Sequence, residues 1–277
     1  MPLAETRTLA DLLTLHDLLP LAWRAAAMAG PFLRDERPDD LTVDTKSTPT
    51  DAVTAMDRDA EAMIAATLLR DRPDDGLLGE EGGERLGTSG VRWIVDPLDG
   101  TVNYLFRLPM WGVSIGAEID GIVEVGVVAT PAFGEAYVAV RGHGAWLVTG
   151  DRAERLTGSS CRELSAALVT TGFGYDAQKR RRQSEVVSGL ITQIRDVRRM
   201  GAAVIDFCWL ARGRVDAYYE HGLNAWDVAA GALIAAESGA VVTGLTDDDF
   251  STFVVAAAPA IAAPLRAALV ALDADAL

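Results

Sequence analysis

Trp93-Ile94-Val95-Asp96-Pro97-Leu98-Asp99-Gly100-Thr101-Val102-Asn103 reads as a buried strand that turns tightly and starts a helix. The β-prone run Trp93–Val95 meets Pro97 and Gly100, residues that break a strand sharply. Asp96 and Asp99 flank that turn, close enough for both to hold oxygen-seeking cations. Hard divalent cations prefer carboxylates, carbonyls and water, and they keep room for a substrate phosphate. Beyond the turn, the amides of Gly100, Thr101 and Val102 open a helix and can point at an anion. Asp, Pro and Gly also dominate ordinary solvated turns, so the pattern needs support from elsewhere in the chain.

Two further acidic segments supply it. Gly76–Leu78 is an apolar step leading into Gly79-Glu80-Glu81-Gly82-Gly83. Trp226-Asp227 opens the apolar run Val228–Ala236, which has helical length and ends near Gly239. An exposed acid in a first turn offsets the helix dipole by about 0.3–1 kcal/mol. Asp227 sits beside Trp226 and ahead of a strongly apolar helix, so it is expected to be buried and paired; a metal would supply the partner.

Gly79-Glu80-Glu81, Asp96–Asn103 and Trp226–Gly231 resemble the inositol monophosphatase family of Mg²⁺-dependent, lithium-sensitive phosphatases, and the resemblance spans nearly the whole chain. Lys46–Thr54 resembles that family's N-terminal loop, Gly201-Ala202-Ala203 its phosphate-facing turn, and Asp216–Glu220 the strand before its last aspartate. The resemblance implies an α+β fold, a layered αβαβα sandwich, usually as a homodimer. It also implies two or three Mg²⁺ ions per site. Glu80, Asp96 and the Leu98 carbonyl would hold one ion. Asp96, Asp99 and Asp227 would hold the second, with Glu80 also facing a third. Thr101 and Glu80 would orient the attacking water, and Asp57 would hold Thr101 by accepting its proton. Asp99, Gly100, Thr101, Gly201, Ala202, Ala203 and Asp227 would meet the phosphate or sugar, and Glu220 the hydroxyls of the alcohol half.

Phosphate monoesters hydrolyse slowly because water is a poor nucleophile and the alkoxide a poor leaving group. Two metals about 3.5–4 Å apart clamp the entering and leaving oxygens of an in-line displacement and acidify a water. No side chain need be phosphorylated, so direct water attack with inversion at phosphorus is expected. The resemblance implies a small polyol or sugar phosphate as substrate, inositol monophosphate first. Fructose bisphosphate, histidinol phosphate, nucleotide and NADP phosphates are the alternatives. Ala202 stands where relatives often carry Ser or Thr, a change worth about 0.5–1.5 kcal/mol for one neutral hydrogen bond. Thr243–Phe250 is shortened, and Ala256–Pro259 lacks the usual asparagine. These departures bear on specificity more than on hydrolysis.

Asp57 has a second reading. Thr54-Ala55-Met56-Asp57 fits the S/T-x-x-D/E signature of a helix start, followed by an apolar stripe at Ala60, Met63, Ile64, Thr67 and Leu68. Capping and a Thr101 contact coexist only if the two carboxylate oxygens serve different donors. Gly112-Val113-Ser114-Ile115-Gly116 fits the G-x-S-x-G pattern of serine hydrolases, but that motif works only at a strand-to-helix elbow. Here it runs on into Ala117–Ile119, so Ser114 is expected to be a strand residue. His221, beside Glu220, is placed to line the pocket.

The 277 residues, 49% of them hydrophobic, fit a single domain over 1–277 with two packed halves, about 1–155 and 156–277. No apolar run is long enough to span a bilayer, no secretory signal is evident, and Cys161 and Cys208 suggest no disulfide framework. A cytoplasmic location is expected. The net charge of −15 argues against a nucleic-acid or anionic-membrane partner. It also argues that an anionic substrate needs bound cations to invert the sign of the site. Lys179–Arg182 reads as a solvated helix face, whereas Arg198 and Arg199, just before Gly201, could serve a subunit contact or a phosphate pocket. A regulatory binding role, independent of turnover, is the non-catalytic alternative.

Helices are expected from Pro20 to Leu33, Thr54 to Leu69, Ser184 to Ile194, Ala202 to Ala211, from Asp227, and from Ala260 to Leu272. Strands are expected at Val91–Val95, Trp111–Ile119, Ile122–Thr130, Glu135–Val140, Ala166–Thr171, Val215–Tyr219, Val241–Val242 and Phe253–Ala257. Asp120-Gly121 is a strong hairpin signal.

Overall fold

The computed structural model describes residues 5–41, 43–45, 52–247 and 249–276; Lys46–Asp51, part of the expected N-terminal loop, lies outside them. The chain opens with β1 (Thr6–Thr8), α1 (Leu9–Leu13) and α2 (Leu19–Asp35), pairs β2 (Val43–Thr45) with β3 (Ala52–Thr54), and enters α3 (Ala55–Asp71). Next come β4 (Gly76–Gly79), β5 (Gly83–Arg85), β6 (Val91–Asp99) and the short α4 (Thr101–Leu105). An antiparallel run follows: β7 (Gly112–Ile119), β8 (Ile122–Thr130), β9 (Glu135–Val140), β10 (Gly144–Thr149) and β11 (Arg152–Arg155). The second half holds β12 (Leu168–Thr171), α5 (Ala177–Leu190), β13 (Asp196–Arg198), α6 (Ala203–Ala211) and β14 (Ala217–His221). It closes with α7 (Ala225–Glu237), β15 (Val241–Thr243), β16 (Phe253–Ala257) and α8 (Pro259–Ala271).

Among the described residues these strands form a nine-stranded sheet, β1-β11-β10-β9-β8-β7-β6-β4-β5, and a five-stranded sheet, β13-β12-β14-β16-β15. Helices α2 and α3 pack on each other and on the outer face of the first sheet. Helices α6 and α7 lie between the sheets, and α8 and α5 cover the far face of the second. The order is therefore the αβαβα sandwich expected from the sequence. Separate apolar cores fill the spaces between layers. Leu19 and Ala25 of α2, Ile64 of α3 and Trp93 of β6 share one core, while Val128, Tyr137, Ile205 and Ile234 join the first sheet to the middle helices. Helix α7 is apolar nearly all round because it has sheet on both sides. Strand β7 is buried along most of its length for the same reason.

Most expected elements are present with ends moved by a residue or two. Asp120 and Gly121 both have positive φ, 50° and 85°, as a type I′ hairpin turn requires. Other differences are larger: the strand expected over Val91–Val95 continues to Asp99, and β1, α1, β2, β3, β5 and β13 have no expected counterpart. The helix expected over Ser184–Ile194 runs instead from Ala177 to Leu190, because the Asp176 side chain caps it by accepting from the Gln178 and Lys179 amides at 2.9 and 3.0 Å. Strands β10 and β11 likewise have no expected counterpart; Gly-flanked and short, they gain their order from pairing with β9 and β1. No helix among the described residues is long and apolar enough to cross a membrane.

Candidate active site

The parallel strands β4 and β6 lie side by side, with Gly79 opposite Val95, and both chains leave the sheet at the same edge. Glu80 follows β4, its amide donating to the Val95 carbonyl at 3.2 Å. Across β6 the ladder with β7 breaks between Asp96 and Asp99, and this irregularity turns both carboxylates toward one cavity. Asp96 is buried, and its Oδ1 accepts from the Leu98 amide at 2.9 Å. Asp99 is partly buried, and its Oδ2 accepts from the Val204 amide at 2.7 Å. Helix α6 has Ala202 at its N-cap and no side-chain cap, so Asp99 satisfies one of its orphan amides from another part of the chain. Asp227 comes from α7, where it forms a capping box by accepting from the Asn224 amide at 2.7 Å. The Ser114 hydroxyl meets the Trp226 carbonyl at 3.3 Å and ties the start of that helix to β7. Ser114 is thus a buried strand residue with a structural partner, and the serine-hydrolase pattern lacks its elbow.

Asp96, Asp99 and Asp227 each place a carboxylate oxygen within 4.8 Å of the other two. Glu80 lines the same cavity and reaches Asp96 by hydrogen bond and charge, without belonging to that tight triad. Burial, then repulsion from Glu80, Asp99 and Asp227, pushes the Asp96 carboxyl well above the usual range. Asp99 is raised by burial and by Asp227, against the pull of the Val204 amide. Asp227 is pushed up to about 6, chiefly by burial. Like charges gathered out of water are costly unless a cation joins them. The donors are all hard oxygens, so these residues fit Mg²⁺ or a similar divalent ion.

Thr101, in the first turn of α4, has its hydroxyl 3.0 Å from Asp57 Oδ1 and 3.1 Å from the Leu98 carbonyl. The other Asp57 oxygen, Oδ2, accepts from the Thr54 amide at 2.9 Å and the Thr54 hydroxyl at 2.5 Å. The capping box and the Thr101 contact therefore coexist, one carboxylate oxygen for each. Gly100, the residue before α4, has φ 89°, and a Cβ there would lie 2.8 Å from the Met110 carbonyl oxygen and 3.0 Å from the Ala202 Cβ. Gly100→Ala is expected to cost more than about 1 kcal/mol, from left-handed strain with the clash added. Thermal denaturation checks this, and an unchanged midpoint would refute it.

Gly201, Ala202 and Ala203 line the same cavity, beside Gly100 and Asp99; its volume is about 480 Å³. The Asn103 side chain fixes them by donating to the Met110 and Met200 carbonyls at 2.6 and 2.8 Å. Glu220 lies at the far side, where it accepts from the Tyr218 hydroxyl at 2.7 Å; burial raises its carboxyl to about 7. His221, Lys179 and Arg199 also line the cavity, whereas Arg198 turns away to pair with Asp196. Sequence reading passed over Asp206. It is buried, lines the cavity and has one oxygen without a hydrogen-bond partner. An acid inside the apolar run Ala202–Ala211 was the signal.

The model of the inositol monophosphatase family matches residues 14–274. Inositol-1-monophosphatase SuhB of Mycobacterium tuberculosis is 44% identical over 271 residues, 91% of this chain and 93% of that protein. Nus factor SuhB of Escherichia coli is 40% identical over 236 residues, 84% of this chain and 86% of that one. Among solved structures, the extragenic suppressor protein suhB of Bartonella henselae superposes with a TM-score of 0.86 at 32% identity, covering 92% of this chain and 98% of its own.

Proposed function

We propose that this chain, which belongs to the inositol monophosphatase family and is a phosphatase, uses Mg²⁺ to hydrolyse a small polyol or sugar phosphate, inositol monophosphate first. The observation that carries this reading is the convergence of Asp96, Asp99 and Asp227 within 4.8 Å, beside a Thr101 hydroxyl already engaged by Asp57. Glu80, Asp96 and the Leu98 carbonyl would hold one ion, and Asp96, Asp99 and Asp227 another, with Glu80 facing a third. Bound there, the ions would supply positive charge to the phosphate oxygens and acidity to a water.

The chain's own groups do the rest. The Thr101 hydroxyl has a single proton, and the neighbours that surround it are acceptors, Asp57 and the Leu98 carbonyl. It can therefore hold a water only by accepting from it, which turns that water's lone pair toward the phosphate. Glu80, which lines the same cavity, takes the water's other proton. The backbone of Gly100, Gly201, Ala202 and Ala203 receives phosphate oxygens, and Asp99 and Asp227 also face the sugar. Glu220 accepts hydroxyl protons of the alcohol. A homodimer in the cytoplasm is part of the same proposal.

Phosphate release from inositol monophosphate, fructose bisphosphate, histidinol phosphate, nucleotides and NADP, with Mg²⁺ and with EDTA, tests the reading. Turnover of a polyol monophosphate that disappears with EDTA and is inhibited by lithium is expected. EDTA-resistant hydrolysis would refute it. An isotopically chiral phosphate should be transferred to water with inversion, since no side chain carries the phosphoryl group; retention would contradict direct water attack. The name of the E. coli relative, a Nus factor, supports a second, binding role. A variant without turnover that still complements the cellular function would establish it.

A further inference from the structure

Helix α3 presents two buried acids one turn apart, Asp57 and Glu61, on the same face. Asp57 reaches Thr101. Glu61 reaches the loop that carries Glu80: its Oε2 accepts from the Glu81 amide at 2.9 Å and its Oε1 from the Gly82 amide at 2.6 Å. With the Glu80 amide held by Val95, three consecutive backbone amides around Glu80 are each fixed by an acceptor. Only 5% of Glu61 is exposed. Two N–H groups pointing side by side at a buried site call for an acceptor-only group with two oxygens, which is a carboxylate. The loop is shaped around it. A Cβ on Gly82 would lie 2.7 Å from Glu61 Oε1, and one on Gly79 would lie 2.6 Å from the carboxyl carbon.

We infer that Glu61 is a positioning residue for the reaction: it clamps the Gly79–Gly83 loop and so sets where the Glu80 carboxylate stands relative to Asp96 and Thr101. The inference rests on the reading of Glu80 given above. Helix α3 thereby becomes a common frame for both members of the water-orienting pair. Asp57 fixes Thr101 at the end of β6, and Glu61 fixes Glu80 at the end of β4. Neither β4 nor β6 alone determines the separation of two side chains that lie beyond or at their ends. A rigid helix bonded to both turns does.

Glu61→Gln tests this while keeping size and shape, because one of its two acceptors becomes an NH₂ group facing an amide N–H. Gly82→Ala tests it from the other side, leaving Glu61 in place but crowding its Oε1. For both variants the loop's amide exchange in the metal-free protein should accelerate, while peptides of β7 and β8 keep wild-type rates. Calorimetric affinity for Mg²⁺ should fall about 10–100-fold, the usual effect of removing a group that orients a metal ligand. At saturating Mg²⁺, KM for inositol monophosphate should stay unchanged while kcat falls. Wild-type loop exchange and wild-type Mg²⁺ affinity in Glu61→Gln would overturn the inference. Should that variant fail to melt cooperatively, the same readings on Gly82→Ala decide the matter. If the wild-type protein released no phosphate from any ester, the hydrolase reading would fall, and exchange with Mg²⁺ calorimetry would still judge the clamp.

Discussion

Asp96→Asn is expected to remove phosphatase activity and, at the same time, to raise the melting temperature of the metal-free protein. Asp96 belongs to both proposed ion sites, so its loss withdraws charge that would otherwise bring cations to the phosphate. Metal-ion stabilisation of a phosphoryl transition state is worth several kcal/mol. At 1.36 kcal/mol per tenfold, that predicts a loss of kcat on the order of 10³-fold or more. Stability should move the other way. The Asp96 carboxyl is raised by burial and by the charges of Glu80, Asp99 and Asp227, so ionising it in the metal-free fold is unfavourable. Asparagine keeps an oxygen for the Leu98 amide, now accepted at 2.9 Å, and offers an NH₂ to the neighbouring carboxylates. Each kcal/mol relieved raises the midpoint by about 2–4 °C in proteins of 150–250 residues, and Mg²⁺ should stabilise the variant less than the wild type. Steady-state phosphate release and scanning calorimetry without metal are the two measurements. Activity within tenfold of wild type, or a lowered midpoint, would count against the metal reading of this cluster.

The opposed effects explain which parts of the molecule were legible in the sequence. The layers could be read because apolar runs such as Ile122–Thr130 and Val228–Ala236 announce burial by composition alone. The acids could be read because Asp96, Asp99 and Asp227 sit at strand or helix ends, where turn residues mark them. Residues whose meaning depends on a distant partner were harder. Asp57 carries both a local signature and a contact 44 positions away, and the sequence displays only the local one. Glu61 lies mid-helix among Ala60 and Ile64, where an acid reads as solvent-facing until its acceptors meet the Glu81 and Gly82 amides. Asp206 is similar, buried at the start of α6 with Thr170 and Glu220 near it. Helix α5 was misplaced because its cap, Asp176, precedes a run of four basic residues that carries no apolar period. Burial of polar groups is decided by tertiary partners, and a linear pattern does not contain them.

The second large effect concerns Thr101 and Asp57, which should behave as one unit. Thr101→Val removes the hydroxyl that accepts from the attacking water while keeping the side chain's volume. A fall in kcat of about 10²–10⁴-fold is expected, the range typical of a lost proton-handling or orienting group, with Mg²⁺ affinity falling far less than kcat, because the hydroxyl is not itself an ion ligand and only donates to one, the Leu98 carbonyl. Asp57→Asn leaves one acceptor oxygen for two sets of donors, Thr101 on one side and the Thr54 amide and hydroxyl on the other. It should therefore lose activity as well, and it should also lose about 0.5–2 kcal/mol of helix-capping stability. The double variant distinguishes a shared role from two separate ones. If Asp57 acts in catalysis only by holding the Thr101 proton, then once Thr101 is gone the Asp57 change has nothing further to disturb. The double variant should turn over no more slowly than Thr101→Val alone, a strongly non-additive result. The capping loss, in contrast, belongs to Asp57 and Thr54 and should persist in full whichever residue occupies position 101. Activity coupled and stability uncoupled is the signature of a carboxylate with one oxygen for the helix and one for the reaction. Additive losses in kcat would mean that Asp57 serves the chemistry by another route, and the assignment of its Oδ1 to Thr101 would have to be abandoned.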